Sequence, residues 1–276
     1  MPGFYIVNGK YFSEDQPSIS PENRSYRYGD GLFETIRMSN GKIPLWDLHM
    51  QRLYKGLQTL LIPVPKLFTE ATLFKECKDL CAKNDFKSAR IRLAVSRGDG
   101  GILEETKSQL HYSIQTWNLE PATPTFNTNG LHLGIYRDGI KSMDGLSNLK
   151  SNNYLVYVMA ALDARERKFN DTLVLNSGHR IADSSIANIF WVKDGKIFTP
   201  PLSEGPVDGV MRNYLLQKME LIENPLDEEK LFMADELFLT NAVRGIQWVK
   251  SVEDKKYSSN TVAQSIYTRI ILPLFS

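Results

Sequence analysis

The first third of the chain alternates short apolar runs with turns, a pattern that predicts β-strands. Phe4–Val7 and Gly31–Met38 are rich in β-branched and aromatic residues. Ile43–Leu45 follows Asn40-Gly41, and Asn-Gly between apolar runs is a strong hairpin signal. We therefore expect the Gly31–Met38 strand to turn back through Asn40-Gly41 into a short partner strand.

From Trp46 onward the apolar spacing changes to a helical period. The residues that fall near one stripe are Leu48, Leu53, Leu57, Leu60 and Leu61, and Thr69–Lys83 repeats the pattern. Two further strands are predicted at Ala89–Ser96 and His111–Trp117. Together these elements predict a small N-terminal α/β domain at residues 1–118.

A second domain is predicted after a linker at residues 119–130, which contains two prolines and three threonines without periodicity. Beyond the linker, strand-like and helical runs are interleaved. The predicted strands are Leu131–Tyr136, Thr172–Asn176, Asn188–Val192 and Glu236–Thr240, and the predicted helices are Ser151–Arg167, Arg212–Leu221 and Val262–Ile271. We expect a larger, mixed α/β C-terminal domain at residues 131–276, which makes the fold class α+β.

Composition narrows the range of functions. The chain has 276 residues, 42% of them hydrophobic, and a formal net charge of +1, so it can bury a core and lacks the basic excess of nucleic-acid binders. No apolar run approaches the roughly 20 residues needed to cross a bilayer. We expect a soluble, cytoplasmic protein without a membrane or nucleic-acid partner. Its only cysteines, Cys77 and Cys81, are expected to be buried structural thiols rather than metal ligands.

Several catalytic signatures are absent from the sequence, including the dinucleotide-binding glycine motif, the phosphate-binding loop, the serine-hydrolase elbow and the zinc-protease motif. What remains is a set of polar segments in a fixed order. They are Tyr28–Arg37 followed by His49–Leu53, then Leu149–Tyr154, then Arg180–Trp191, and finally Gly209–Arg212.

In this order and spacing, the segments resemble the class IV aminotransferase family of pyridoxal-phosphate enzymes, also called fold type IV. The family includes branched-chain aminotransferases, D-amino acid aminotransferases and 4-amino-4-deoxychorismate lyase. The resemblance runs from about Tyr5 to Val249, nearly the whole chain. It implies the two-domain fold type IV architecture, pyridoxal 5'-phosphate as the cofactor, and a homodimer with the cofactor between the domains.

The resemblance also assigns roles around the cofactor ring. Lys150 looks like the Schiff-base lysine, which holds the cofactor and moves the proton of the substrate α-carbon. Asp183 takes the position of a family glutamate that faces the pyridine nitrogen, but it is one methylene shorter. We expect the backbone to move closer; a bridging water or a weakened site are the alternatives. Tyr154 resembles the tyrosine that contacts the phenolic oxygen, although it lies one residue closer to Lys150 than in branched-chain enzymes.

The cofactor phosphate has its own set of expected contacts. Arg52 resembles the family's phosphate-binding arginine, whose planar fork suits phosphate. The backbone amides of Val210 and Met211 are expected at a helix N-terminus, where free N–H groups favour an anion. The loop containing Asn241 and Ala242 matches a family loop that often supplies a hydroxyl, so we expect one hydroxyl contact to be missing.

The substrate is less constrained. Phe33 takes the position of a tyrosine used by D-amino acid enzymes, and the segment after Arg97 lacks their Arg-x-His pair, which disfavours that branch. Arg97 and Arg244 are our candidates for binding a substrate carboxylate. We favour transfer of the amino group of a branched-chain-like L-amino acid to a 2-oxo acid. The alternatives are the lyase, which releases pyruvate and 4-aminobenzoate, and a non-catalytic relative that binds the cofactor, which retention of Lys150, Arg52 and Asp183 disfavours.

Overall fold

The structure is a computed structural model that describes residues 3–16, 19–103, 110–121 and 124–276. The chain forms two compact units. Unit 1 contains Met1–Thr123, Lys150–Asn153 and Ser276, and unit 2 contains Pro124–Leu149 and Tyr154–Phe275. The lysine segment thus belongs to unit 1, whereas the sequence placed Lys150 in the C-terminal domain. The predicted boundaries at residues 118 and 130 stay a prediction.

Unit 1 is built on a five-stranded antiparallel sheet in the order β2-β1-β5-β4-β3. Its strands are β1 Phe4–Val7, β2 Lys10–Ser13, β3 Gly31–Met38, β4 Ala89–Ser96 and β5 His111–Asn118, and its helices are α1 Arg24–Tyr28, α2 Trp46–Thr59 and α3 Glu70–Lys83. On β4, Ile91, Leu93 and Val95 are buried at alternate positions, as expected for a sheet with one face on a core.

Helix α3 shows how local sequence sets an element. The Thr69 side chain caps the helix by accepting a hydrogen bond from the Thr72 amide. Leu73, Cys77, Leu80 and Cys81 then repeat at helical spacing and are buried. Both cysteines are free, which confirms the prediction of buried thiols. Burial raises the pKa of Cys77 well above its usual value and that of Cys81 to about 12, so both stay protonated and unreactive.

The predicted hairpin after β3 is only half right. Asn40 and Gly41 adopt φ values of 48° and 76°, and Ser39 and Lys42 exchange both backbone hydrogen bonds, so the tight turn forms. The partner strand at Ile43–Leu45 does not form, and that prediction is wrong. Pro44 has no N–H to continue the ladder, and α2 begins at Trp46. Strand β3 pairs with β4 along its whole length instead.

Unit 2 is built on a mixed, nine-stranded sheet in the order β11-β10-β9-β12-β13-β6-β7-β8, with β14 paired to β13. Its strands are β6 Leu131–Lys141, β7 Asp171–Asn176, β8 Ile181–Ser184, β9 Asn188–Lys193, β10 Lys196–Thr199, β11 Ile222–Glu223, β12 Glu236–Asn241, β13 Gly245–Val252 and β14 Lys255–Lys256. Its helices are α4 Leu155–Glu166, α5 Val210–Lys218, α6 Glu228–Met233, α7 Thr261–Ile266 and α8 Leu272–Phe275. A 3-10 turn at Leu202–Glu204 and a π-turn at Tyr267–Ile271 complete the unit.

The core of unit 2 contains a fully buried strand, and two of its helices begin at residues other than those predicted. Strand β7 is buried at every position, which is typical of a strand covered on both faces. Helix α4 begins at Leu155 rather than Ser151, because Ser151 pairs with β3 of unit 1. Helix α5 begins at Val210, two residues before the predicted start. Among the described residues, no helix is both long and apolar enough to cross a membrane.

Candidate active site

The segment that carries Lys150 lies along the outer edge of β3, where Ser151 forms an antiparallel β-bridge with Leu32. The Phe33 amide donates to the Lys150 carbonyl at 2.9 Å, and the Asn152 amide donates to the Gly31 carbonyl at 2.9 Å. Gly31 is required here because an added Cβ would lie 2.2 Å from the Val95 carbonyl oxygen. The glycine of this motif therefore lets the lysine segment and β4 approach β3 closely.

The Lys150 side chain lies over an aromatic ring that also faces a second cation. Its Nζ is 4.5 Å from the centroid of Phe33, and the guanidinium carbon of Arg92 is 3.9 Å from the same centroid. Sequence reasoning placed Phe33 near the substrate but missed Arg92. The sequence shows Arg92 only as one of two arginines, with Arg90, at alternate positions of β4. Such positions are typical of side chains that face solvent, so the pattern does not single out Arg92.

Glu34, His49 and Arg52 form a buried charged cluster, and only Arg52 was predicted. Both Glu34 oxygens accept from the Arg52 guanidinium, the Nε contact measuring 2.8 Å, and Oε2 lies 2.6 Å from His49 Nδ1. Burial would raise the pKa of Glu34, but Arg52 and His49 together lower it to about 2. Burial lowers the pKa of His49, so the neutral ring donates through Nδ1. The cluster fixes the direction of Arg52; its phosphate role stays a prediction.

This cluster predicts how stability depends on pH. The pKa of Glu34 lies below its ordinary value, so its stabilisation is present above about pH 4.5 and is lost as the pH falls toward about 2. We expect Glu34→Gln to lower the free energy of unfolding at pH 7 by about 3 kcal/mol, and by much less at pH 3. Denaturant unfolding at the two pH values measures this. Glu22→Gln, at an exposed pair with Arg27, is the control and should change little. Equal losses at both pH values would contradict the prediction.

Arg97, our first candidate for a substrate carboxylate, has structural partners. Its Nε and Nη2 donate to the carboxylate of Asp30 at 2.8 and 3.3 Å, and its other contacts are the carbonyls of Leu60 and Leu61. Arg24 binds the same carboxylate at 2.8 Å. These contacts support a role in holding β3 and α2 of unit 1, and the substrate role of Arg97 stays a prediction.

Asp183 lies on β8 of unit 2 and is 2% exposed. Its Oδ2 accepts from the Tyr157 hydroxyl at 2.8 Å and the Val207 amide at 2.9 Å, and lies 3.4 Å from Lys141 Nζ. Its Oδ1 is buried and has no hydrogen-bond partner among the residues that the structure describes. A buried acceptor without a donor is costly, so this oxygen suits a ligand that brings an N–H.

The N-terminus of α5 presents backbone amides of the kind that bind anions. Asn213 is the first residue whose amide bonds back into the helix, to the Gly209 carbonyl, so the amides of Val210 and Met211 precede the helical ladder. Both side chains are buried, as expected if only their backbone matters. Gly209 is required because an added Cβ would lie 1.7 Å from the Asn188 amide oxygen. Amides at a helix N-terminus suit a phosphate group.

The remaining predicted residues of unit 2 lie just before α4 and at or after the end of β12. The Tyr154 hydroxyl donates to the Ser185 carbonyl at 3.1 Å. The Asn241 side chain accepts from the Val243 and Arg244 amides and so shapes the loop after β12, in which Ala242 is buried. Arg244 is exposed and lies 3.3 Å from Gln247. These contacts give each segment a defined shape, and the cofactor and substrate roles of these residues stay predictions.

Comparison with known proteins decides the family. The family described as amino-transferase class IV matches residues 31–252, most of the chain. The chain belongs to this family. It is 30% identical to the aminodeoxychorismate lyase of Bacillus subtilis over 92% of this chain and 88% of the relative. It is 27% identical to the branched-chain-amino-acid aminotransferase of Escherichia coli over 89% and 84%.

Solved structures show the same fold. The branched-chain aminotransferase of Thermoproteus uzoniensis superimposes with a TM-score of 0.86 at 24% identity, over 99% of this chain and 96% of that one. The α+β class and the fold type IV architecture are therefore confirmed. Class IV aminotransferases depend on pyridoxal phosphate, and solved structures of this fold hold its derivatives, which confirms the cofactor. The protein is a pyridoxal-phosphate-dependent class IV enzyme.

The residues present fit this cofactor on two observations. The unpartnered Oδ1 of Asp183 suits the protonated ring nitrogen, and the free amides at the start of α5 suit the phosphate. The cofactor aldehyde also needs a lysine amine, and that role of Lys150 stays a prediction.

Proposed function

We propose that this class IV enzyme transfers the amino group of a branched-chain-like L-amino acid to a 2-oxo acid. The observation that carries the proposal is the pair of cations on the Phe33 ring. Lys150 Nζ and the Arg92 guanidinium carbon both lie within 4.5 Å of its centroid, so an amine and a second cation lie beside one apolar ring. An amino acid with an apolar side chain presents the complementary groups.

Each residue then has one task. When bound, the cofactor supplies an aldehyde that takes up the amino group and a ring that accepts electrons from the α-carbon. Lys150 Nζ would accept the proton of the substrate α-carbon and hold it for return to the bound molecule. Asp183 keeps the proton on the ring nitrogen, and the α5 amides hold the phosphate. Arg92 binds the substrate carboxylate as a charge-assisted pair.

The role of Arg92 makes a prediction. We expect Arg92→Leu to raise KM for the L-amino acid about 10- to 100-fold and to change kcat much less, because a charged hydrogen bond to bound substrate is lost. Steady-state kinetics at varied amino-acid concentration measure both constants. Arg90→Leu is the matched control, since Arg90 lies on the same strand but stacks on Trp117. Equal KM values for the two variants would contradict the role.

The lyase reaction is the second candidate. It is favoured by the B. subtilis relative, whose identity to this chain is 30%, and by Gly209–Arg212 and Asn241-Ala242, which resemble the lyase branch of the family. Both reactions need Lys150 to remove the same α-proton, and they differ in where the electrons go next. Lys150, the Asp183 carboxylate and the amides at the start of α5 would serve either reaction equally. An assay with different substrates is therefore needed to distinguish the two reactions.

One paired assay tests the proposal. The purified protein with pyridoxal phosphate is given a panel of L-amino acids with 2-oxoglutarate, and separately aminodeoxychorismate. We expect glutamate to form from branched-chain amino acids and no pyruvate to be released from aminodeoxychorismate. Release of pyruvate and 4-aminobenzoate without any glutamate would replace the aminotransferase by the lyase.

We further propose that the enzyme is a homodimer, as the family resemblance implied. Helix α4 supports this, since it exposes an apolar stripe at helical spacing formed by Leu155, Val158, Met159 and Leu162, each at least 43% exposed. A stripe of this kind suits a second copy of the chain, and two-fold pairs are the commonest assembly. Light scattering should give twice the chain mass for the wild type and the single chain mass for Val158→Glu. One chain mass for the wild type would reject the dimer.

A further inference from the structure

Lys141 is a buried lysine to which the proposed reaction gives no task. It is the last residue of β6, and its side chain is 8% exposed. Its Nζ lies 3.4 Å from Asp183 Oδ2 although β7 separates β6 from β8 in the sheet. The β6–β7 register shifts between Tyr136 and Ile140, which brings Lys141 opposite Asn176 at the end of β7. The bulge and the long side chain together allow the reach across β7.

The donors around Asp183 are distributed unevenly. A phenol from Tyr157, an amide from Val207 and the ammonium of Lys141 all approach Oδ2, while the equally buried Oδ1 has no partner among the described residues. Three donors on one oxygen fix the rotation of the carboxylate. The second oxygen is thereby presented in one direction as an open acceptor.

A buried carboxylate also needs a counter-ion, because a charge that is removed from water without a partner is costly. The ammonium of Lys141 is the cation within 4 Å of this carboxylate in the described part of unit 2. Burial lowers the pKa of Lys141, and the Asp183 carboxylate opposes that shift.

We propose that Lys141 is a positioning residue, which serves as the counter-ion of Asp183 while the cofactor is absent and then shares that carboxylate with the protonated ring nitrogen. This rests on the proposed function, which assigns Asp183 to the ring nitrogen. Because both cations would pair with the Asp183 carboxylate, either one can compensate in part for the loss of the other. The cofactor should therefore restore stability that is lost when Lys141 is removed, and only a cofactor with a ring nitrogen should do so.

The test compares melting temperatures with and without ligand for wild type, Lys141→Met, Asp183→Asn and the double variant. Without cofactor, we expect Lys141→Met to melt about 10 °C lower than wild type, because a buried charge loses its partner. The double variant should melt above both single variants. Saturating pyridoxal phosphate should raise the melting temperature of Lys141→Met by about 5 °C more than that of wild type. Its analogue with carbon in place of the ring nitrogen should raise both equally.

The matched control is Lys193→Met, which removes an exposed lysine 3.1 Å from Asp235 in the same sheet. It should melt like wild type under all conditions. If Lys141→Met does not fold, Lys141→Gln keeps a polar side chain without the charge and should show the same extra gain from pyridoxal phosphate.

The outcomes separate the inference from the function on which it rests. Equal losses with and without pyridoxal phosphate, and additive losses in the double variant, would show that Lys141 only packs, and would overturn the inference. If wild type and Asp183→Asn gain equally from pyridoxal phosphate and from its carbon analogue, Asp183 does not face the ring nitrogen. The proposed role of Asp183 then fails, together with the sharing step, even where the double variant still shows the ion pair.

Discussion

Lys150→Ala is expected to lower turnover of every amine substrate by at least about 10³-fold, the upper range for loss of a positioned acid–base group. The physical reason is that two backbone hydrogen bonds of 2.9 Å hold the Lys150 segment on the edge of β3, with the amine beside Phe33. Borohydride reduction attaches the cofactor covalently to the lysine that binds it. The same variant should therefore carry no cofactor mass after reduction. Steady-state rates and mass spectrometry after reduction measure the two effects.

Lys87→Ala is the matched control, because Lys87 is an exposed lysine of unit 1. It should keep both the rate and the added cofactor mass after reduction. Cofactor mass retained on Lys150→Ala would mean that another lysine forms the bond, and the assignment of the site would then be wrong.

Asp183→Asn is expected to lower kcat by about 10²- to 10³-fold while the cofactor still binds. An amide keeps the shape of the side chain but cannot hold the proton on the ring nitrogen, so the ring accepts electrons from the α-carbon less well. Exchange of the substrate α-proton in heavy water isolates this step from later ones. Asp235→Asn, at an exposed pair with Lys193, is the control. If the exchange rate of Asp183→Asn equals that of the wild type, the carboxylate has no part in removal of the α-proton.

The sequence allowed single motif residues to be named as candidates, but it did not show what surrounds them in the fold. Lys150 and Asp183 stood out because motifs in a fixed order carried them. That Lys150 pairs with β3 was not predictable, because Phe33 and Lys150 are more than 100 residues apart and strand pairing at such distance leaves no local pattern. At Ile43–Leu45 the local pattern was misleading. The Asn40-Gly41 turn forms as predicted, but no strand follows it.

Charged groups in the core were the main omission. Glu34 and His49 read as ordinary positions of a strand and a helix, and they become a buried cluster only once α2 lies against β3. Lys141 lies beyond the predicted strand and resembles a surface lysine, whereas in the structure β6 extends to it through a bulge and its side chain is buried. Burial of charge depends on tertiary packing, so composition and periodicity could not show it.

The four residues Lys150–Asn153 make unit 1 discontinuous along the chain, and this limits how the protein can be cut. A fragment ending at residue 118 would lack its last strand-like segment. The Gly31 carbonyl and the Phe33 amide would then lose their partners at the edge of the sheet, where they could pair with a strand of another molecule. Truncation at the apparent linker should therefore yield aggregates, and the ribosome must synthesise more than half of the polypeptide before the lysine segment can join the sheet of unit 1.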